Sequence, residues 1–204
     1  MRFPPTKLCC GLKWVYCALS SVVEHSSDKG KVEGSIPSAR TDMDLTIGTY
    51  TGGDRPSVIA GLVELQKHEV ALHDTRRPST IELAEKYLDS LLSSVDKKSG
   101  VFLCAHSSES LLGFIVCWIE RDENVNETAD STTYGYICDA FVFEQYRGQG
   151  IFRQLNAEAE RHLKQFPEVK RIRLNALANN EAALRAYRSA GYSDYEILLE
   201  KRTQ

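Results

Sequence analysis

Gln145-Tyr146-Arg147-Gly148-Gln149-Gly150 stands between a strand-like run, Tyr134 to Phe143, and a segment of helical spacing built on Ile151, Leu155, Ala159, His162, Leu163 and Phe166. The order predicted is strand, glycine turn, helix. Glycine at 148 and 150 lets the backbone come close to a ligand and take conformations a side chain would forbid. The first N–H groups of the helix lack intrahelical partners and point outward, so the turn suits an anion rich in acceptor oxygens, such as a pyrophosphate. Arg147 adds a charge-assisted contact. By itself, a Gly-x-Gly turn before a helix is also an ordinary connection. No Gly-Lys-Ser/Thr follows it, Arg153 stands where a dinucleotide fingerprint needs its third glycine, and no acidic residue follows the next strand. A Walker loop and an NAD site are thereby disfavoured.

Working outward, Leu45 to Tyr50 reads as a strand ending in Thr51-Gly52-Gly53-Asp54. From Pro56, Ile59, Leu62, Val63, Gln66 and Val70 fall at helical spacing, with Leu65 and Leu72 widening the face. Arg76-Arg77-Pro78-Ser79 breaks the chain, and Ser79 or Thr80 can cap a second helix carrying Ile81, Ala84, Tyr87, Leu88, Leu91 and Leu92. Strands are expected over 101–105 and 111–120, then an acidic loop to Ser131. After the helix that Pro167 ends, Arg171 to Ala176 alternates as a half-buried strand should. A helix from Asn179 or Asn180 to Ala190, stopped by Gly191, precedes a last strand, Tyr195 to Glu200. The pattern βααβββαβαβ describes one mixed-sheet α/β domain.

Two motifs carry a resemblance. Gln145, Gly148 and Gly150 occupy the fixed positions of a loop of the form Arg/Gln-x-x-Gly-x-Gly/Ala. Asn180, Ala183 and Tyr187, then Gly191-Tyr192, are similar to Asn-x-x-Ala-x-x-x-Tyr-x-x-x-Gly-Phe, with Tyr192 in place of the phenylalanine. At this separation and order they resemble the Gcn5-related N-acetyltransferase (GNAT) family, from about Leu45 onward. The resemblance implies a mostly antiparallel sheet flanked by helices, the acyl-coenzyme A N-acyltransferase fold. It implies acetyl-coenzyme A as co-substrate, held by Phe141 and Val142 on a splayed central strand, by Gln145, Arg147, Gly148, Gln149, Gly150 and Ile151 in the turn, and by Asn180 and Tyr187. It also implies that Tyr187 protonates the departing thiolate and that a strand amide near Val142 steadies the thioester oxygen.

Each residue has a plainer reading beside this one: Asn180 as a helix cap, Tyr187 as core, Asp139 as a salt-bridged structural carboxylate. Asp139 stands in an apolar strand, where a carboxylate is seldom idle, and is the candidate for acceptor binding or proton relay. Its alternation with Cys138 and Ala140 places it on one sheet face. His68, Glu69, His73, Asp74, Arg76 and Arg77 read mostly as a solvated helix end, with mixed signs that would suit a polar small molecule. Asp122, Glu123, Glu127 and Asp130 are candidates for attracting a cationic amine. The acceptor expected is a primary amine of a small molecule, attacking directly in a ternary complex. A protein amino terminus or lysine, and a non-catalytic acyl-coenzyme A-binding module, are the alternatives.

Of the 204 residues, 42% are apolar, enough for one substantial core, and the formal net charge of −3 gives no basic footprint for nucleic acid. No window approaches the ~20 apolar residues of a membrane-spanning helix. Cys104, Cys117 and Cys138 lie in apolar runs as core thiols, which fits a reducing, cytoplasmic setting. Cysteine and histidine spacing suggests no zinc or other metal site. A homodimer is compatible with the family, though no feature fixes an interface. Residues 1–42 show no sustained period, and Lys13 interrupts the apolar stretch a secretory signal would need. Ser20-Ser21-Val22-Val23-Glu24-His25 and Lys31 to Pro37 resemble the translation of a transfer-RNA gene, which implies an over-extended frame with Met43 as the start. The alternative is a disordered leader. Either way the domain expected is 43–204.

Overall fold

In a computed structural model, which describes residues 44–203, five strands form one sheet in the order β1-β2-β3-β4-β5. They are β1 (Thr46–Thr49), β2 (Val101–His106), β3 (Leu111–Arg121), β4 (Thr133–Val142) and β5 (Ile172–Leu174). All neighbours are antiparallel except β4 and β5, which are parallel and joined by a helical crossover. The expectations for residues 1–42 and for a start at Met43 lie outside the described residues.

The helices cover both faces. On one, α1 (Arg55–Leu72) and α2 (Ile81–Lys97) pack Val58, Leu62, Leu65, Leu88 and Leu91 against Phe102, Phe114, Trp118 and Phe141. On the other, α4 (Ile151–Leu163) and α5 (Glu181–Ser189) pack Phe152, Leu155, Ala159 and Tyr187 against Leu112, Ile115, Ile137 and Val142. Of the two caps expected for α2, Thr80 is the one used, its Oγ1 accepting from Leu83 N–H at 3.1 Å. Ser79 instead donates to the Val63 carbonyl at 2.7 Å and ties the linker to α1. Cys104 and Cys117 are free thiols buried in the core, whereas Cys138, also buried, is disulfide-bonded and so is not the free thiol expected.

The sheet tolerates no side chain at Gly113 on β3, where a Cβ would stand 2.4 Å from the Phe141 carbonyl oxygen. Gly113→Ala is expected to lower Tm by about 2–12 °C in differential scanning calorimetry. Overpacking costs about 1–3 kcal/mol, and each kcal/mol moves a domain of this size by about 2–4 °C.

Three expectations need correction. The last strand does not form: 192–203 carry no strand, and Tyr195, Ile197, Leu198 and Leu199 are exposed. Tyr195 lies against the Arg173 guanidinium on β5, 4.5 Å from the ring centroid, while Glu200 stands 3.6 Å from His73 just beyond α1. A tail anchored on two layers leaves the sheet plane and lays no ladder on β5. The acidic loop contains a short helix, α3 (Ala129–Thr132), and two of its four carboxylates are ion-paired, Glu127 with Arg173 and Asp130 with Arg171. Those two therefore make a poor lure for a cationic amine. Finally, Leu62 and Leu65 of the face expected for α1 are buried, but Val70 is exposed and the stripe continues instead through Val58 and Glu69.

Candidate functional site

The site begins where β4 and β5 part. Their parallel pairing runs only from Gly135↔Ile172 to Ile137↔Leu174, so Cys138 to Val142 have no strand partner on that edge. On the other edge, Val116 pairs with Asp139 and Cys117 with Ile137, leaving Cys138 as an extra, bulged residue. A bulge bends its strand and re-aims the side chains beyond it. Here it turns Cys138 and Asp139 toward the same side: Tyr87 of α2 donates to Asp139 Oδ2 at 2.7 Å and lies 3.9 Å from Cys138 Sγ. The strict alternation expected at Asp139 is thus broken, and the bulge is the reason.

The open edge of β4 presents backbone groups. Phe143 N–H donates to the Leu112 carbonyl at 3.0 Å, so by strand alternation the N–H and C=O of Val142 face the opposite, unpaired side. Arg147 Nε takes that carbonyl at 3.0 Å, which braces the glycine turn against the end of β4. One of its five N–H donors is thereby used. Burial lowers the pKa of Arg147 below its ordinary value, although Glu144 and Glu64 oppose the shift.

Below the notch the turn has the conformation its glycines allow. Gly148 and Gly150 sit at φ 75° and 76°, the left-handed region, with no heavy atom within 4 Å of where a Cβ would project. Gly150 is the N-cap of α4, so Ile151 and its neighbours present the helix's first amides to that open space. Gln145 and Gln149 are exposed beside it, tied by a 3.3 Å bond from Gln149 Nε2 to the Gln145 carbonyl.

Across the notch, Asn180 is 2% exposed, and its Oδ1 accepts from Ala183 N–H at 3.2 Å, which makes it the N-cap of α5. Its Nδ2 is buried and unbonded, with the His68 ring as neighbour. The hydroxyl of Tyr187 is likewise buried without a hydrogen-bond partner. Burial, then the charge of Asp139, raises that phenol far above its usual range, so it stays protonated at any ordinary pH. Asp139 is wholly buried, and desolvation raises it well above a normal carboxylate despite the bond from Tyr87.

Of the residues expected at the site, Val142 and Arg147 border the open edge and Asn180 caps α5, whereas the Phe141 ring packs on the other face against Phe114 and Phe143, and Asp139 and Tyr187 are buried in the protein. Glu144 is exposed at the rim of the notch, and His73 is turned toward Thr75 and Glu200. Glu69 was the residue misread as solvated. It is wholly buried, 3.0 Å from Arg76 Nε, and pushed up to about 7 by burial against the opposing charge of Arg76. The signal available in sequence was its place in the α1 stripe, four residues after Leu65. No group of side chains among the described residues is arranged to hold a metal ion, and no helix among them is long and apolar enough to cross a membrane.

The sequence profile of the acetyltransferase (GNAT) family matches residues 67–192, more than half of the chain. Comparison with curated proteins gave no match. Among solved structures, a putative acetyl transferase from Pyrococcus furiosus is 24% identical at a TM-score of 0.57, with 78% of this chain and 99% of that one covered. An aminoglycoside 6'-N-acetyltransferase from Acinetobacter haemolyticus is 19% identical at 0.59, covering 78% and 98%. A further aminoglycoside 6'-N-acetyltransferase, solved with a coenzyme A–acetylneamine bisubstrate analogue, is 14% identical at 0.57, again covering 78% and 98%. The mixed, mostly antiparallel sheet flanked by helices is the fold these structures share with the chain.

Proposed function

The chain belongs to the acetyltransferase (GNAT) family, and from that premise we propose that it moves an acetyl group from acetyl-coenzyme A to a primary amine of a small molecule, by direct attack in a ternary complex. The observation that carries this reading is the notch itself. An unpaired β4 edge leads onto a glycine turn at a helix N-terminus, and buried polar atoms without partners (Asn180 Nδ2, Tyr187 Oη) stand beside it. A pantetheine chain offers amides to such an edge, and a pyrophosphate suits the amides and Arg147 at its foot. The small-molecule class rests on the two aminoglycoside acetyltransferases of like fold.

The geometry supports a division of labour. The Val142 N–H, which faces the unpaired edge of β4, steadies negative charge growing on the thioester oxygen. Tyr187, held protonated, gives its proton to the departing thiolate. Asp139 helps bind the acceptor and relay its proton. A covalent acyl-enzyme is disfavoured, since Cys104 and Cys117 are buried free thiols pushed up by burial, the latter to about 12, far from thiolate character at neutral pH.

Calorimetric titration of the chain with acetyl-coenzyme A is expected to show one site with a Kd of roughly 1–100 μM, about −8 to −5.5 kcal/mol. No binding by folded protein would sink the proposal. Thiol release with peptide amines but not with small amines would move the acceptor to a protein. Binding without release in any amine screen would leave an acyl-coenzyme A-binding module.

A further inference from the structure

Arg147 opens the glycine turn, yet its side chain folds back onto the sheet instead of reaching into the open space beside Gly148 and Gly150. Its Nε donates to the Val142 carbonyl at 3.0 Å, on the edge of β4 that β5 leaves uncovered beyond Ile137↔Leu174. A chain pairing with that edge would run about 4.7–4.9 Å from it and would set an amide nitrogen about 2.9 Å from the same carbonyl. The guanidinium thus takes the place of such an amide. A charged side chain laid over a bare strand edge is a common guard against unwanted pairing.

We infer that Arg147 selects the acyl carrier: in the free protein its guanidinium occupies the lane along β4 at Val142, and a carrier bearing a pyrophosphate draws it out. Thioesters of coenzyme A are admitted, and thioesters of pantetheine alone are resisted. This rests on the transferase reading above.

Two recognition tasks meet on one side chain. The first amides of α4 follow Arg147 in the chain, so an anion seated on them lies within reach of the same guanidinium. The Val142 carbonyl is a single neutral acceptor, whereas a pyrophosphate is anionic and can be held by two parallel bonds. Among the described residues only Nε is engaged, which leaves the other donors for the incoming oxygens. Once the side chain turns outward, the Val142 carbonyl is released to an amide of the pantetheine arm. A carrier without phosphates must break the same bond with nothing in exchange. Filling the phosphate position therefore strengthens binding along the edge, a coupling that needs no contact between the two ligands.

A fixed brace is the competing arrangement, with Arg147 keeping its hold on Val142 while its other donors meet the phosphates. The two differ in sign. Removing a brace weakens every carrier, whereas removing a guard strengthens the carrier that lacks phosphate.

The test titrates the full chain with acetyl-coenzyme A, and with S-acetylpantetheine in the presence and absence of inorganic pyrophosphate. In wild type, saturating pyrophosphate should tighten S-acetylpantetheine by about 3–10-fold, the span of one hydrogen bond. Arg147→Met keeps the stem and removes the donors. It should bind S-acetylpantetheine about 3–10-fold tighter than wild type, ignore pyrophosphate, and bind acetyl-coenzyme A about 10–100-fold more weakly. Arg147→Lys, with the charge but not the planar fork, should fall between them. Weaker or unchanged S-acetylpantetheine binding in Arg147→Met overturns the inference. So does pyrophosphate that competes with S-acetylpantetheine in wild type or leaves its affinity unchanged, and so does a failure of S-acetylpantetheine to bind under any of these conditions. The pyrophosphate measurement needs no variant, and it decides the matter if Arg147→Met does not fold. Wild type that binds no acetyl-coenzyme A overturns the parent reading and this one with it, whereas tight acetyl-coenzyme A binding without the coupling overturns this one alone.

Discussion

Tyr187→Phe is expected to lower kcat by about 10²–10³-fold, the span that general acid catalysis supplies, while acetyl-coenzyme A affinity stays within about threefold. The ring is 2% exposed and packs edge-on against Phe152, at 5.6 Å between centroids, and against Tyr192 at 6.4 Å. Phenylalanine keeps both contacts and removes only a hydroxyl. That hydroxyl is buried without a partner, so its loss relieves a desolvation cost and should leave Tm unchanged or slightly raised. A core tyrosine kept for packing or hydrogen bonding would behave in the opposite way, losing Tm and little rate. The pH profile separates the roles further. The pKa of Tyr187 is raised by burial and by Asp139, so the group is protonated throughout the neutral range and contributes no acid limb. The substitution should scale the whole profile down without moving its midpoint. Stopped-flow thiol release together with a melting curve decides the matter, and full turnover in the variant removes Tyr187 from the chemistry.

Elements whose signals are local were readable in the chain. The turn announced itself by two glycines, and both adopt the left-handed conformation that makes glycine necessary. Asn180 declared a cap by its type and position, and the helix after it carried Tyr187 on the same side as Ala183, into the core. What escaped depends on register between strands. Nothing in Ile137-Cys138-Asp139-Ala140 marks Cys138 as the extra residue, because the bulge is defined by what stands opposite on β3. The side on which Asp139 emerges was hidden for that reason. Glu69 was missed because a charged residue among His68, His73, Asp74, Arg76 and Arg77 reads as a solvated helix end, although it follows Leu65 by four residues and shares its buried side. The stripe admits Gly61 because a close helix–sheet approach needs it, and Glu69 because Arg76 pairs with it there. At Gly61, a Cβ would stand 2.8 Å from the Phe114 ring. Tyr195 to Glu200 has the apolar, strand-like composition expected of a last strand and yet forms none, since side-chain anchors on Arg173 and near His73 outweigh the propensity.

Gly150→Val should weaken acetyl-coenzyme A binding by about 10–100-fold, equal to ~1.4–2.7 kcal/mol, with kcat at saturation close to wild type. Two contributions act together. At φ 76° a β-branched residue is strained, and left-handed backbone costs an L-residue roughly 1–2 kcal/mol. If the turn relaxes to escape that strain, the first amides of α4 swing away from the place where the pyrophosphate must meet them. The second contribution is steric and is expected with ligand bound: the protein leaves open space around a Cβ at this position, so added bulk meets the ligand first. Gly150→Ala separates the two, since it carries most of the backbone strain and little of the bulk, and should fall between wild type and valine. Gly148→Ala, at φ 75° in the same open space, should resemble it. Strain alone would lower Tm by a few degrees in all three variants and leave affinity ordered by Tm. Blockage by bulk would set valine apart from both alanines at equal Tm. A calorimetric Kd that stays at the wild-type value in Gly150→Val, with Tm lowered, would reduce the turn to a connection between β4 and α4 and move the phosphates elsewhere.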